Sequence, residues 1–354
     1  MAANLPCGFR LQEPAALPCS GHLMNADLDK STLQLSAIFP FMGAYELARN
    51  TVEHLRHQTI ASSMELLLVK ESGYDAGIPP DWCAGFAAGQ IVETDPFTTR
   101  SKAFAEGVRC SASNYVVMCE DHCFPEPGWA ESLVARLRDG HAVVGAGFHN
   151  SNPENAISWA DFFLAYGPFV YPGNSERRSF LPGHNSAYRK SVLTNLSNLD
   201  HELEVEYLLH IRLATEGNSL FLDSTARTHH TNFATWKSFC VASFYASKVF
   251  GAIRAGNQTR IQNIKFVALS FLVPPLRLWR AIPSYLRAQA QHRIPISTLL
   301  VLFIGYILST AGEVNGMLFG ADSTRSDLLP YEFDRLAHAP RALEELRHGG
   351  LRFY

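Results

Sequence analysis

The sequence has no large excess of either charge and lacks several common catalytic motifs. Its 354 residues include 30 lysines and arginines against 33 aspartates and glutamates, which gives a net charge of −3. This balance provides no global attraction to nucleic acid, so we predict no nucleic-acid partner. The patterns GxxxxGK[ST], HExxH, GxSxG and GxGxxG are also absent. Their absence disfavours P-loop nucleotidases, zinc proteases, α/β-hydrolases and Rossmann dehydrogenases.

Cysteine is sparse, and its spacing gives no sign of a disulfide framework. The seven cysteines are an odd number, are widely scattered and include no CxxC pair. We therefore predict reduced thiols, which suit a reducing cytoplasm. The first 30 residues lack a basic start followed by a continuous apolar core. We predict a loose N-terminal tail over residues 1–30 and no secretory signal there.

Short apolar runs alternate with amphipathic stretches through the following part of the chain. Strands are predicted over 33–40, 64–72, 89–96, 115–119, 141–148 and 218–230, and helices over 44–58, 100–112, 130–140 and 202–217. Segment 149–180 has no clean periodicity, and 181–193 indicates a loop that enters a helix. The alternation predicts an α/β fold with a largely parallel sheet, in which ligands bind outside the carboxyl ends of the strands.

The composition changes beyond about residue 260. Residues 266–276 are uncharged but form a short run, and Pro274 with Pro275 would break a spanning helix. Residues 294–312 are 19 residues without a charge, close to the roughly 20 that a bilayer requires. Between the two runs lies a basic band, formed by Arg277, Arg280, Arg287 and Arg293.

We interpret this region as membrane-associated helices over residues 261–320, followed by a C-terminal tail over 321–354. Basic loops beside apolar segments are normally cytoplasmic, which predicts the cytoplasmic face of the cell inner membrane. A buried core helix at 294–312 is the alternative. The glycines at 312, 316 and 320 recur every four residues, which suits close helix packing.

The stretch VVMCEDHCFPEPGW, residues 116–129, places two acids and a histidine where an apolar strand ends. Carboxylates at this position can hold a divalent metal, act as acid or base, or cap the following turn. The oxygens of Glu120 and Asp121 and the imidazole of His122 form a mixed ligand set that accepts Mn²⁺ or Mg²⁺. The residues alone leave the metal site and the capped turn open.

A second acidic stretch, ELEVEYLLHIRL, begins at residue 202. Glu202, Glu206 and His210 recur every four residues and would share one face of a helix, while Glu204 points elsewhere. Neighbouring like charges raise a carboxyl pKa, which helps a base to accept a proton near neutral pH. The spacing alone also fits a solvated acidic face.

The stretch CEDHCFPEPGW resembles the region around the DxD motif of family 2 glycosyltransferases, which have a GT-A fold. Pro125, Pro127 and Trp129 match the P-x-P-x-W of that family, while Glu120 and His122 stand where its two aspartates would be. The resemblance extends over roughly residues 33–235. It implies a GT-A-type nucleotide-diphospho-sugar transferase fold, a mixed and mostly parallel sheet flanked by helices, over residues 31–260.

The resemblance also implies roles for individual residues. Contacts to the nucleotide-sugar donor are implied for Pro40, Glu71, Arg100, Glu120, Asp121, Gly183 and Asn185. A divalent metal, Mn²⁺ or Mg²⁺, is implied at Asp121, His122 and His230, with His229 beside the last. Glu206 precedes Arg212 by the family's interval, which implies that Glu206 is the catalytic base, with Glu204 as the alternative.

Together these roles predict an inverting, hexosyltransferase-type enzyme that moves a sugar from a nucleotide-diphosphate sugar to an acceptor hydroxyl. The apolar C-terminal region suggests a saccharide or lipid-linked acceptor from the cell envelope. A sugar nucleotidyltransferase is one alternative, although FPFMGAYELARN has only one glycine and no lysine for a phosphate loop. A non-catalytic, membrane-attached module that binds nucleotide sugars is the other, because the second aspartate is missing.

Overall fold

A mixed nine-stranded sheet forms the centre of the protein, in a computed structural model that describes residues 32–97 and 99–349. The predicted N-terminal tail lies outside the described residues. The strands are β1 Leu35–Pro40, β2 Met64–Glu71, β3 Ala88–Thr94, β4 Tyr115–Met118, β5 Cys123–Pro125, β6 Val143–Asn150, β7 Glu176–Arg177, β8 Ala187–Arg189 and β9 Leu220–His230. Their order across the sheet is β3-β2-β1-β4-β8-β6-β9-β5, and β7 pairs with β9.

Helices surround this sheet and form the C-terminal part of the chain. They are α1 Tyr45–Arg56, α2 Arg100–Cys110, α3 Trp129–Arg138, α4 Ala156–Tyr166, α5 Lys190–Thr194, α6 Leu199–Glu202, α7 Glu206–Thr215, α8 Trp236–Gly256, α9 Arg260–Leu269, α10 Val273–Gln289, α11 Ser297–Phe319, α12 Asp322–Phe333 and α13 Pro340–Gly349.

The parallel half of the sheet sets the position of the polar residues. Strands β3, β2, β1 and β4 are parallel neighbours, so their carboxyl ends meet at one edge. Strand β8 then runs antiparallel between β4 and β6, which makes the sheet mixed. This arrangement confirms the predicted GT-A-type fold, and it brings Pro40, Glu71 and Glu120 to the same edge of the sheet.

The predicted helix over 202–217 is interrupted. Helix α6 ends at Glu202, a 3-10 turn spans Leu203–Val205, and α7 starts at Glu206. The predicted face is therefore wrong for Glu202, while Glu206 and His210 remain four residues apart on α7. The turn buries Leu203 in the core, and this packing overrides the helical spacing of the acids.

Helix α4 lies in segment 149–180, whose sequence has no clean periodicity. Asn155 caps it by accepting hydrogen bonds from the amides of Ile157 and Ser158, each at 2.9 Å. Trp159, Phe162 and other aromatic residues are buried around it. A helix that is apolar on most sides has no amphipathic period, so the sequence pattern did not predict α4.

The expectation of reduced thiols holds for only part of the chain. Cys83, Cys119, Cys123 and Cys240 are free, whereas Cys110 is disulfide-bonded. The expectation is wrong at Cys110 because spacing along the chain does not reveal which sulfur atoms the fold brings together.

Helix α11 packs closely along α8 at three glycines. A Cβ atom would lie 2.3 Å from the carbonyl oxygen of Phe244 if built on Gly312, and 1.9 Å from that of Lys248 if built on Gly316. On α8, a Cβ atom on Gly251 would lie 2.2 Å from the carbonyl oxygen of Glu313. The expected close packing is confirmed for Gly312 and Gly316.

Two helical stretches, 260–289 and 297–319, are long and apolar enough to cross a membrane. A 3-10 turn at Ser270–Leu272 divides the first stretch into α9 and α10. Half of the most apolar window of α11 is buried by protein, compared with 11% of the corresponding window in the first stretch. Membrane association stays a prediction, which the exposed surface of α9 and α10 favours more than that of α11.

Adding a methyl group between α8 and α11 tests their contact. We expect Gly316→Ala to lower the free energy of unfolding by about 1–3 kcal/mol, because the helices must separate. Gly256→Ala, also on a helix, is the matched control, since no described atom lies within 4 Å of its built Cβ. Denaturant unfolding of the detergent-solubilised protein measures both, and equal stabilities would contradict the close packing.

Candidate active site

Three buried residues, Glu120, His122 and His230, form a compact group that we call the histidine–glutamate cluster. Their candidate ligand atoms all lie within 4.8 Å of one another. Nε2 of His122 is 3.6 Å from Oε1 of Glu120, and Nε2 of His230 is 3.8 Å from Oε2. The antiparallel pairing of β5 with β9 puts Cys123 opposite His230, so it joins two distant parts of the sequence.

Each histidine of the cluster is oriented by a neighbour at its other nitrogen. Nδ1 of His122 lies 2.6 Å from Oδ1 of Asp121, and Nδ1 of His230 lies 3.0 Å from Oδ1 of Asn232. If both oxygens accept from Nδ1–H, each Nε2 keeps a free lone pair. Neither buried Nε2 has a hydrogen-bond partner within the described ranges.

Electrostatics suit this arrangement to a cation. Burial lowers the pKa of His122 and His230 well below the usual range, so both rings are neutral near pH 7. Burial, followed by repulsion from Glu120, raises the pKa of Asp121. A cation in the cluster would lower the pKa of Asp121 again, because opposite charge favours the ionised carboxylate. The cluster therefore fits a divalent ion.

The ligand set differs in two residues from the one that the sequence suggested. Glu120, expected near the sugar or ribose, lies with the two histidines, while Asp121, expected as a ligand, holds Nδ1 of His122. Two imidazole nitrogens and one carboxylate suit Mn²⁺ better than Mg²⁺, which prefers oxygen ligands.

Arg100 connects the cluster to the rest of the site. It is the first residue of α2, and its side chain is 14% exposed. Its Nη1 donates to Oε1 of Glu120 at 2.8 Å, while Nη2 contacts the ring of His184 and lies 3.5 Å from Oε1 of Glu332. Asn185 donates to the other oxygen of Glu120 at 2.9 Å, from a left-handed backbone with φ of 58° that asparagine tolerates.

Glu206 begins α7 and packs its carboxyl group against the loop before β8. A Cβ atom on Gly183 would lie 2.8 Å from Oε2 of Glu206, so a larger residue at this position would displace the carboxyl group. Oε1 of Glu206 lies 3.1 Å from Nδ1 of His184, although without the angles of a hydrogen bond. Burial raises the pKa of Glu206 to about 7, against the lowering effect of Arg100.

The physical cause of this shift corrects the expectation from sequence. We expected repulsion from the like charge of Glu202 on the same helix face, but Glu202 pairs with Arg212. Desolvation is the first cause, and the closest repelling carboxylates come from other parts of the chain. Glu206 can therefore exchange a proton near neutral pH.

Glu206, Arg100, Gly183 and His184 line one cavity of about 1190 Å³. Its other walls include parts of α4, α8, α10, α11 and α12. The cluster lies outside this lining, behind Arg100. A volume of this size exceeds the usual range for a small-molecule site, which leaves room for more than one sugar.

Pro40 and Glu71 lie at the same sheet edge but outside this cavity lining. Pro40 ends β1, and Oε1 of Glu71 accepts a hydrogen bond from the amide of Phe97 at 2.7 Å. A smaller pocket of about 440 Å³ lies beside the end of β2, lined in part by Lys70 and Tyr74.

Of the two histidines that end β9, His230 alone lies with Glu120. Successive side chains of a strand point to opposite faces, so His229 faces the other way. It stacks on His149, with ring centroids 4.7 Å apart, and its Nε2 lies 3.1 Å from Oε1 of Glu126.

Sequence reasoning missed three side chains at the site. His184 lies within the quoted LPGHNSAYR, but a single histidine in a loop gave no signal of its own. Glu332 and Arg335 come from the segment interpreted as a C-terminal tail. Nη1 of Arg335 lies 3.2 Å from Oδ2 of Asp161, and its charge influences the pKa of both Glu120 and Asp121. No local pattern marks such long-range contacts.

A comparison with known proteins supports the resemblance to a family. Residues 36–196 match the model of the family described as glycosyl transferase family 2, which confirms the resemblance over somewhat less than half of the chain. The matched segment contains Arg100, Glu120, His122 and Asn185, and it ends before Glu206 and His230. A search of curated proteins finds no match.

Removing one imidazole tests the cluster as a metal site. We expect His122→Ala to weaken Mn²⁺ binding by about 10–100-fold, because one of the converging nitrogens is lost. His201→Ala, which removes an exposed histidine, is the control. Calorimetric titration with Mn²⁺ measures both, and an affinity of His122→Ala equal to that of the control would exclude the site.

Proposed function

We propose that this chain, which carries a glycosyl transferase family 2 domain over residues 36–196, is an inverting glycosyltransferase. It moves a hexose-type sugar from a nucleotide-diphosphate sugar to a hydroxyl group of a saccharide or lipid-linked acceptor. The observation that carries the proposal is the buried carboxyl group of Glu206, whose pKa is raised to about 7, in a cavity that also contains Arg100.

Glu206 acts as the general base. It takes the proton of the acceptor hydroxyl while the hydroxyl oxygen attacks the anomeric carbon, and the bond from that carbon to the diphosphate breaks. Attack opposite the leaving group inverts the configuration without a covalent intermediate. The ion pair between Glu204 and Arg325 supports Glu206 over Glu204 in this role, since Glu204 is already neutralised.

The donor diphosphate binds beside Arg100. The guanidinium group of Arg100 forms a short ion pair with Glu120 and a longer one, at 3.5 Å, with Glu332. In the proposed complex the diphosphate replaces the longer contact with Glu332. Asn185 and Gly183 shape the sugar side of the same region. Pro40 and Glu71 at the sheet edge then lie on the nucleoside side.

Glu120, His122 and His230 would hold the divalent ion, Mn²⁺ rather than Mg²⁺, with Asp121 fixing the ring of His122. When bound, such an ion neutralises the charge that develops on the departing diphosphate. Holding donor and acceptor in line can itself supply about 7–11 kcal/mol of the barrier, so the cavity walls contribute as well.

The protein is also proposed to associate with the cytoplasmic face of the inner membrane through the helices of residues 261–320. Large apolar side chains are exposed there, including Phe271 at 70%, Trp279 at 73% and Ile296 at 75%. Such a surface is unusual on a soluble monomer and suits insertion into the headgroup region of a bilayer.

Replacing the base tests the reaction. We expect Glu206→Gln to lower transfer by about 10²–10⁴-fold while nucleotide-sugar binding stays nearly intact, because only proton removal is lost. Glu204→Gln is the matched control and should retain most activity. Transfer by both variants is measured with a panel of nucleotide sugars and Mn²⁺. If the wild-type protein binds nucleotide sugars but transfers none of them, the alternative of a non-catalytic module that binds nucleotide sugars would be favoured.

The raised pKa of Glu206 has a consequence for stability. Because the folded carboxyl titrates at about 7 and its reference value is 4.5, the unfolded chain loses this proton first as pH rises. Stability from this group is therefore present below pH 4.5 and is lost as pH rises to about 7. We expect the unfolding free energy of Glu206→Gln to rise relative to wild type from about pH 5 to about pH 8. A constant difference, measured by denaturant unfolding, would contradict the shift.

A further inference from the structure

The lining of the cavity that contains Glu206 is rich in arginine. The whole lining contains four glutamates and seven arginines, namely Glu204, Glu206, Glu313, Glu332, Arg100, Arg178, Arg254, Arg277, Arg280, Arg287 and Arg325. The arginines therefore outnumber the acids. A cavity with this balance attracts an anionic ligand.

Most of these arginines already have an acidic partner. Arg254 and Arg277 share the carboxylate of Glu313 on α11. The others that form ion pairs are Arg100, Arg178 and Arg325. Among the residues that the structure describes, Arg280 and Arg287 have no carboxylate partner, and Arg287 only donates to Oγ of Ser284 at 3.2 Å. These two guanidinium groups are thus available for a ligand.

Arg280 and Arg287 lie on one face of α10. They are seven residues apart, which is about two helical turns and about 10 Å along the axis. Ser284 lies between them in the same cavity lining. Guanidinium groups on long side chains can converge on one phosphate across this distance, with the paired hydrogen bonds that phosphate favours.

An exposed apolar stripe runs along α10 beside the two arginines. It consists of Trp279 and Leu286, which are seven residues apart on the helix and are 73% and 59% exposed. One helix thus presents a basic face to the cavity and, next to it, an apolar face to the surroundings. This combination fits an amphiphile whose anionic head group enters the cavity while its hydrocarbon chain stays on the apolar stripe.

We infer that the acceptor is a saccharide linked through phosphate to a lipid, and that Arg280 and Arg287 bind its phosphate. The inference rests on the proposed function, because the reacting hydroxyl must reach Glu206, which lines the same cavity. The volume of about 1190 Å³ accommodates a sugar between the phosphate and the base.

Vesicle binding by the full-length protein tests the inference without a transfer assay. The probes are phosphatidylcholine vesicles that contain a small fraction of an isoprenyl phosphate sugar, and vesicles with the same fraction of oleate, which is anionic but has no phosphate. We expect the wild type to bind the phosphate vesicles on the order of tenfold more tightly than the oleate vesicles. Equal affinities would overturn the phosphate specificity.

Variants separate the cavity from general attraction to an anionic surface. Arg280→Gln with Arg287→Gln should abolish the preference, while Arg293→Gln, an exposed arginine outside the lining, should retain it. An equal loss in Arg293→Gln would overturn the cavity site. Thermal unfolding of all variants serves as the control for misfolding. We expect it to stay unchanged, because the replaced arginines are exposed.

A soluble competitor identifies the source of the phosphate. Glycerol 3-phosphate should not displace the protein from the vesicles, and full displacement would overturn the lipid part of the inference. The thermal shift of the same variants with nucleotide sugars is measured in parallel. A vesicle preference without any nucleotide-sugar shift would refute the proposed glycosyl transfer and leave the phosphate site standing, so the two failures are distinguishable.

Discussion

The largely buried guanidinium group of Arg100 is the interaction on which the rest of the site depends. It holds Glu120 of the histidine–glutamate cluster, contacts His184 beside Glu206, and reaches Glu332 of the C-terminal segment. Burying a cation costs free energy unless carboxylates pair with it. The position of Arg100 therefore also determines where its carboxylate partners lie. The same charge opposes the rise in the pKa of Glu206 and keeps it near 7. One side chain thus connects the histidine–glutamate cluster to the proposed base.

The C-terminal helices complete the cavity and also expose large apolar side chains. Helix α11 packs on α8 through glycines and contributes Glu313, while α10 contributes arginines to the same cavity. Phe333 of α12 stacks on Phe97 near the sheet edge, with ring centroids 5.5 Å apart. The cavity therefore exists only where the sheet domain and these helices meet. An acceptor held at a bilayer and a donor held at the sheet edge would approach each other there.

Local patterns in the sequence predicted much of the fold and part of the site. Strands such as β2, with its continuous apolar run, and the acids after β4 could be placed because strand period and strand ends are local features. Helix α4 could not, since it is apolar on most sides. The pKa of Glu206 was expected to rise, but its cause, burial against Gly183, depends on distant packing. Glu332 reaches Arg100 from far along the chain, and nothing near it in the sequence marks that contact.

One metal–diphosphate unit, held by the cluster and Arg100 beside Glu206, is central to the proposed chemistry. Pulsed electron paramagnetic resonance of Mn²⁺ bound to the protein, with and without nucleoside diphosphates, probes this unit most directly. We expect couplings to imidazole nitrogen in both samples and a coupling to phosphorus once a matching nucleoside diphosphate is added. Bound Mn²⁺ that shows no nitrogen coupling, or no phosphorus coupling with any nucleoside diphosphate, would contradict the proposed site.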